Sequence, residues 1–534
     1  MNTPRMRFEF TLEPAWPPLA WLAKCPKGGG PVLIVHGRRV ERTTAWFCEA
    51  VWTGPYAAGD FDKTDLVFGS GGRLREDSAM FVSSGSTVDR LQTLETRDAV
   101  WVSNSLACLL ASFDGHVDPT YPRYFRDFQS VIRGLRRYKR TLATSAGPVR
   151  LVYFSNLRWD GQCLHEVEKA RPERDFSAFR PYRDFLASSL CRLAENMAAG
   201  ERAQPFALLG TISSGYDSAT IAALAREAGL REVISFEHSR SGIDDTGREI
   251  AGVLGLRLST LSRSAWQSLR TPEIPFVAAD AKGEEVHYTA AEPLLAGRVL
   301  LTGFHGDEMW ERAAWPLPLN ADLVRSDQCG LSLTEYRLWA GFIHCPAPFM
   351  GARQFRAVNA ISRSPELAAW DVGGAYTRPI CRRILEEAGV RRDAFGVAKK
   401  NTSVLLFERS TFLVPGSWSA YAAWLAEHAD DWRRRGRTPP DLVRRGPTRI
   451  QAAAWRLAGA LHAAAGIAPH RLRLVASLAW RMRALGAAEP LFRYAFPWAL
   501  ELAKARYSPP RDSVAPRDPA LVRAHREQLP CAAS

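Results

Sequence analysis

At 534 residues, with 46% hydrophobic and 24% charged content, the chain is too long for a single domain of about 100–200 residues and too apolar to be disordered, so two or three folded domains are expected. The net charge of +14 admits a nucleic-acid partner, but the Arg excess is spread along helical stretches, and Arg433-Arg434-Arg435 and Arg444-Arg445 read as a solvated basic face; no nucleic-acid partner is expected. Nine cysteines with no CxxC pair and no His/Cys cluster argue against structural zinc and a disulfide framework, and point to a reducing, cytoplasmic compartment.

The opening MNTPRMRFEF lacks the apolar core of a secretion signal. No uncharged apolar run reaches the roughly 18–20 residues of a bilayer span. The best candidate, 450–467, is interrupted by Arg456, so no membrane partner is expected. The terminal Cys531-Ala532-Ala533-Ser534 matches a prenylation box, a match short enough to arise by chance.

In chain order, residues 1–115 read as a β-rich domain. Apolar runs at 31–36, 65–68, 80–82 and 100–102 predict strands, with Gly69-Ser70-Gly71-Gly72 as a turn between them. Residues 116–200 form a connecting region, with a strand predicted over 149–154. A helix is predicted over 174–201, where Phe179, Phe185, Leu186, Leu190, Leu193 and Met197 recur on a 3–4 period. From 201 to 425, strands predicted at 206–212, 233–236, 256–261 and 299–302 alternate with helices at 218–226 and 246–254. That alternation predicts an α/β domain built on a doubly wound parallel sheet. Residues 426–534 read as a helical, basic C-terminal region, loose from Ser508 onward.

The turn Ser213-Ser214-Gly215-Tyr216-Asp217-Ser218 leaves a strand and opens a helix. Such a turn presents unpaired N–H groups and the positive end of the helix dipole, and its small residues let an anion approach. Asp217 beside phosphate makes sense if it binds a magnesium ion that bridges the oxygens. The alternative is an ordinary capped helix, with Ser213 or Ser214 as N-cap and Asp217 in the first turn.

This stretch resembles the SGGxDS pyrophosphate loop of the N-type ATP pyrophosphatases, the PP-loop superfamily that includes the asparagine synthetases. Ser213, Gly215, Asp217 and Ser218 match, and Ser214 stands in place of a glycine, at a cost if that position needs φ > 0. LLTGFHGDEMW, from Leu300, resembles the TGxGADE motif of asparagine synthetases, with Thr302, Gly303, Gly306, Asp307 and Glu308 in register. VRRDAFGVAKKN, 390–401, resembles the lysine-bearing loop of the same family, with Lys399 or Lys400 as the lysine. TRDAVWVSNSLACLLA, 96–111, is similar to the end of the glutaminase domain of glutamine-hydrolysing asparagine synthetases, an Ntn-hydrolase-like unit. That family uses a cysteine at residue 2 as nucleophile; here residue 2 is Asn2, which implies a domain without glutaminase activity.

The resemblance implies ATP-dependent amide-bond formation, in which a carboxylate is adenylated with release of pyrophosphate and an amine then displaces AMP. It implies ATP held by Ser213, Ser214, Gly215, Asp217 and Ser218, with adenine read by backbone near Phe236 and Gly303. It further implies Mg2+ on Asp217 and Asp307, and a lysine, 399 or 400, stabilising developing charge. Where the synthetases carry a Glu, and β-lactam synthetases a Tyr, this chain has Phe304, which cannot take a proton. His305, next to it, is a candidate base, with a structural histidine as the alternative. Asn2 and Phe304 favour a specialised ligase, akin to β-lactam and lasso-peptide macrolactam synthetases, acting on a small-molecule or peptide carboxylate and an amine. A homodimer or a pathway protein is a candidate partner. The alternatives are a degraded nucleotide-binding relative or partner subunit, and a tRNA-modifying branch that only the +14 charge favours.

Overall fold

The computed structural model describes residues 6–240, 242–312, 322–374, 376–397, 400–406, 412–440, 457 and 490–507. Asn2, Lys399, the Arg444-Arg445 pair, the 450–467 run apart from Leu457, and the segment from Ser508 on, with Cys531, lie outside them.

The N-terminal strands are β1 (Phe8–Leu12), β2 (Trp21–Pro26), β3 (Val32–His36), β4 (Glu41–Arg42), β5 (Trp46–Trp52), β6 (Val67–Arg75) and β7 (Ser78–Val82). They continue with β8 (Arg90–Glu95), β9 (Ala99–Ser103), β10 (Thr141–Thr144), β11 (Gly147–Tyr153), β12 (Asn156–Trp159) and β13 (Leu164–Val167). A 7-stranded sheet runs β1-β3-β2-β9-β8-β11-β10, and a 6-stranded sheet runs β13-β12-β7-β6-β5-β4. The connecting region therefore supplies strands β10–β13 to the two N-terminal sheets.

The pleat explains how the sheets stack. Trp21 and Ala23 of β2 share a core with Phe47 of β5 and Phe81 of β7, whereas Leu22, between them, packs into a second core on the opposite face. The Trp21 indole stacks on Phe81 at 6.1 Å, meets the Phe47 edge at 5.1 Å, and donates to Ser70 Oγ at 3.0 Å.

Gly69-Ser70-Gly71-Gly72 is not a turn; it lies inside β6, paired with β5 from Phe47 to Ala50. A Cβ on Gly72 would stand 2.5 Å from the Phe47 ring, so the small residues let two strands and an aromatic side chain close up.

The third sheet contains β14 (Ala207–Thr211), β15 (Glu232–Phe236), β16 (Arg257–Leu261), β17 (Arg298–Thr302) and β18 (Ile343–Pro346). Its order is β16-β15-β14-β17-β18 and every pairing is parallel. Val299 and Leu301 enter one core while Leu300 enters the other, so both faces of β17 are covered, as a parallel sheet requires. The helix Phe179–Met197 buries Leu186, Leu190, Leu193 and Met197, as its periodicity predicted, and packs beside the helix Asp217–Ala225.

Helices Pro415–Glu427, Ala429–Arg434 and Ala495–Lys504 form the described C-terminal part. The last of these lies against the helix Ile274–Asp280, with Trp498 fully buried. Among the described residues no helix is long and apolar enough to cross a membrane. Arg337, on the helix Leu333–Ala340, pairs with Glu49 at 2.6 Å and Asp89 at 2.9 Å, tying that helix to the N-terminal sheets with charges that are all buried.

Candidate functional site

Strand order locates the site. The chain runs β14, β15, β16 toward one edge and then returns to place β17 on the other side of β14. Loops leaving β14 and β17 thus emerge side by side at the carboxyl edge, where the strand order reverses and parallel sheets bind ligands. The loop after β14 is Ser213–Ser218, and the loop after β17 carries Gly303 to Asp307.

The two loops touch. A Cβ on Gly303 would stand 2.5 Å from the Ser218 backbone nitrogen, and one on Gly306 would stand 2.6 Å from Asp217 Cγ. Any side chain at either position would drive the loops apart. The two motifs, remote in sequence, are therefore one packed unit.

Within the first loop the hydroxyls hold the turn. Ser213 Oγ lies 3.0 Å from Ser218 Oγ and accepts from the Gly215 N–H at 3.1 Å. Ser214 donates its hydroxyl to Asp245 Oδ1 at 2.7 Å. Ser214 is absent from the positive-φ residues, so replacing glycine there carries no left-handed strain. Neither serine caps the helix Asp217–Ala225: its N-cap is Tyr216, without a side-chain cap bond. Of the capped-helix alternative, Asp217 does stand in the first turn of that helix, but neither serine is its cap, since both hydroxyls bond inside the loop or to Asp245.

Lys400 Nζ donates to Ser214 Oγ at 2.7 Å and to the Asp244 carbonyl at 2.7 Å, and stands 3.8 Å from Asp245 Oδ1. The Gly396 N–H donates to the Ser214 carbonyl at 2.9 Å, so Gly396 and Lys400, on either side of the lysine pair's first member, both reach the turn. Burial raises the Asp245 carboxyl, opposed by Ser214 and Lys400.

Sequence reasoning missed Arg378. It is buried, and its guanidinium pairs with Asp217 and lies 3.6 Å from Glu311. Burial alone would pull the guanidinium down; Asp217, then Asp307, raise it above its ordinary range. Arg378 thus stands among the carboxylates of Asp217, Asp307 and Glu311, while Lys400 and the N-terminus of the helix Asp217–Ala225 meet at the same turn.

His305 is buried, stacked on Phe349 at 4.3 Å, with Nδ1 3.2 Å from Glu308 Oε2. Its φ of 76° bends the loop back toward the helix Gly306–Trp310. Glu308 also accepts from Ser326 through its N–H and hydroxyl. Phe304 is half-buried, edge-on to His344 at 5.5 Å. Phe236 ends β15 at the same sheet edge, its ring buried against His287 at 4.5 Å.

A second group missed by sequence reasoning is the buried cluster of Asp280, Lys282, Glu284 and Glu285, which meets Gln328 and Cys329. Ligand atoms of Glu284, Glu285 and Cys329 lie within 4.8 Å of one another. Glu285 Oε1 accepts from the Gly330 N–H at 2.8 Å, and a Cβ on Gly330 would stand 2.9 Å from Phe304 Cδ2. The cluster therefore lies directly across Gly330 from the β17 loop. Its only signal in the sequence is the density of charge in DAKGEE between apolar segments.

Compared with known proteins, the chain matches no family model and no curated protein.

Proposed function

We propose that the chain is an ATP-dependent amide ligase of the asparagine synthase-like kind, built on a PP-loop sheet preceded by an Ntn-like unit without glutaminase activity of its own. The observation that carries this reading is the contact of the two acidic loops at the strand-order reversal, where glycines at 303 and 306 are pressed onto Asp217 and Lys400 sits on the same turn.

Each residue then has a task. Ser213, Ser214, Gly215 and Ser218 line the turn that would hold the ATP phosphates, at the positive end of the helix Asp217–Ala225. Mg2+ on Asp217 and Asp307 would screen the triphosphate. Lys400, with Lys399 beside it in sequence, offsets the charge that grows on the leaving pyrophosphate. Backbone near Phe236 and Gly303 lines the adenine side. A carboxylate oxygen attacks the α-phosphorus and the bond to pyrophosphate breaks; the amine nitrogen then attacks the acyl carbon and AMP leaves. The burial of His305 gives the base assignment no support.

A second reading has its own observation. The Arg378–Asp217 pair already supplies a cation at Asp217, which suits a relative that binds nucleotide without turnover. ATP–pyrophosphate exchange over a panel of carboxylates separates the two. Exchange that depends on one acid and disappears in Asp217→Asn supports the ligase; ATP binding with no exchange for any acid supports the second reading.

A further inference from the structure

A tyrosine stands over the turn that follows β14. Tyr376 is half-buried and precedes Thr377, which Asp371 pins: Asp371 Oδ1 accepts from the Gly373 N–H at 3.0 Å and from the Thr377 hydroxyl at 3.1 Å. The Tyr376 ring packs on the fully buried Tyr216 ring at 5.0 Å, and the Arg378 guanidinium lies 5.3 Å from its centroid. These contacts set the phenol oxygen beside Gly215. A Cβ on Gly215 would stand 3.7 Å from that oxygen and 3.2 Å from Ser213 Oγ, so two hydroxyls flank the face that the glycine leaves bare.

The neighbouring polar side chains are engaged. Ser213 bonds Ser218 and the Gly215 N–H, Ser214 bonds Asp245, Lys400 bonds Ser214, and Arg378 pairs with Asp217. The Tyr216 hydroxyl accepts from Arg382 at 2.7 Å. The Tyr376 hydroxyl, by contrast, has no hydrogen-bond partner among the described residues. Burial raises it above its ordinary range, with Arg378 opposing, so it keeps its proton at neutral pH and remains a donor. Its ring is already occupied by Tyr216 and Arg378, which leaves the hydroxyl, rather than the aromatic face, to meet a ligand. An O–H held beside a phosphate-type turn by packing alone is complementary to an oxygen anion.

We propose that the Tyr376 hydroxyl donates a hydrogen bond to the pyrophosphate portion of ATP, over the bare face of Gly215. The assignment rests on the ligase reading, which puts ATP on this turn, and adds to it a donor outside the three motifs. The bond is made to bound ATP as well as to the departing pyrophosphate, so it acts chiefly on affinity. Its removal should raise the KM for ATP and change turnover at saturating ATP much less. It also gives Gly215 a reason, since a methyl group there would fill the space between Ser213 Oγ and the phenol.

The test uses the full chain with Mg2+. Pyrophosphate, ATP and AMP are titrated calorimetrically against the wild type, Tyr376→Phe and, as a control among the C-terminal helices, Tyr494→Phe. Tyr376→Phe keeps the ring and removes one oxygen, so its Tm should match the wild type. It should bind pyrophosphate and ATP about tenfold or more weakly and AMP with unchanged affinity, while Tyr494→Phe alters none of the three. Wild-type pyrophosphate affinity in Tyr376→Phe, or a loss shared equally by AMP, overturns the contact. A lowered Tm in Tyr376→Phe overturns it too, because the hydroxyl would then be bonded within the protein. Pyrophosphate binding that Tyr376→Phe weakens, in a chain with no ATP–pyrophosphate exchange for any acid, refutes the ligase and leaves the contact standing. Exchange with the same KM for ATP in wild type and Tyr376→Phe does the reverse, and a wild type that binds neither ATP nor pyrophosphate overturns both.

Discussion

Gly303→Ala probes the contact on which the site depends. The new methyl carbon would lie 2.5 Å from the Ser218 nitrogen and 2.6 Å from the Asp217 carbonyl carbon, both backbone atoms that cannot swing aside. Ordinary contact begins at 3.4 Å, so the β14 and β17 loops must part by about 0.9 Å. Overpacking of this kind costs about 1–3 kcal/mol, and a domain of this size loses roughly 2–4 °C of apparent Tm per kcal/mol. Gly252→Ala is the matched control. That glycine lies in the helix Arg248–Val253 with nothing within 4 Å of its added Cβ, so alanine there should stabilise by about 0.5–1 kcal/mol. Differential scanning fluorimetry should therefore move the two variants in opposite directions. Nucleotide affinity should fall in Gly303→Ala alone, because a 1 Å misplacement of a binding loop is costly. A Gly303→Ala variant with wild-type Tm and wild-type ATP affinity would refute the claim that the two loops form one packed unit.

Arg378→Met removes the buried cation shared by Asp217 and Asp307 and should destabilise by about 3 kcal/mol; added Mg2+ should then raise Tm more in the variant than in the wild type, and an equal response would argue against these carboxylates as cation ligands. Lys400→Met should lower ATP–pyrophosphate exchange about 100-fold; unchanged exchange would move the charge-stabilising role to its neighbour Lys399. The Glu285 carboxyl is raised from 4.5 to about 8 by burial, then by Glu284 and Asp280, so the folded state holds its proton more tightly than the unfolded chain. Its contribution is fully present below about pH 4.5 and is lost as pH rises through about 8, so the fall in wild-type Tm from pH 6 to 9 should be shallower in Glu285→Gln; parallel profiles would place the titration elsewhere, on Asp280, Lys282 or Cys329.

Local pattern carried the elements with a clear apolar run or a helical period. Val32–His36, Ala99–Ser103, Phe179–Met197 and the alternation from Ala207 to Leu261 all lie where those signals place them. The SSGYDS turn was legible as a strand-to-helix loop for the same reason. Gly69-Ser70-Gly71-Gly72 misled, because glycine signals a turn only when no neighbouring strand needs its space; here Phe47 does. Strand β18 was missed, since Ile343–Pro346 is only four residues long, holds a histidine and ends in proline, so it shows no apolar β-branched run.

What the amino-acid order determined by itself was therefore a β-rich start, an alternating α/β middle with two acidic loops after two apolar strands, and helical signal toward the end. Which residues meet was decided only by tertiary structure. Strand order set β17 against β14, and thereby put Gly303 on Ser218 and Gly306 on Asp217. Arg378 and Lys400 reached the same turn from segments more than 150 residues away, with no local periodicity to announce them. Burial turned DAKGEE, which as a string reads like a solvated loop, into an interior cluster of charge. The reason is the same in each case: propensity and periodicity are properties of neighbours in sequence, whereas charge pairing, desolvation and close approach are properties of neighbours in space.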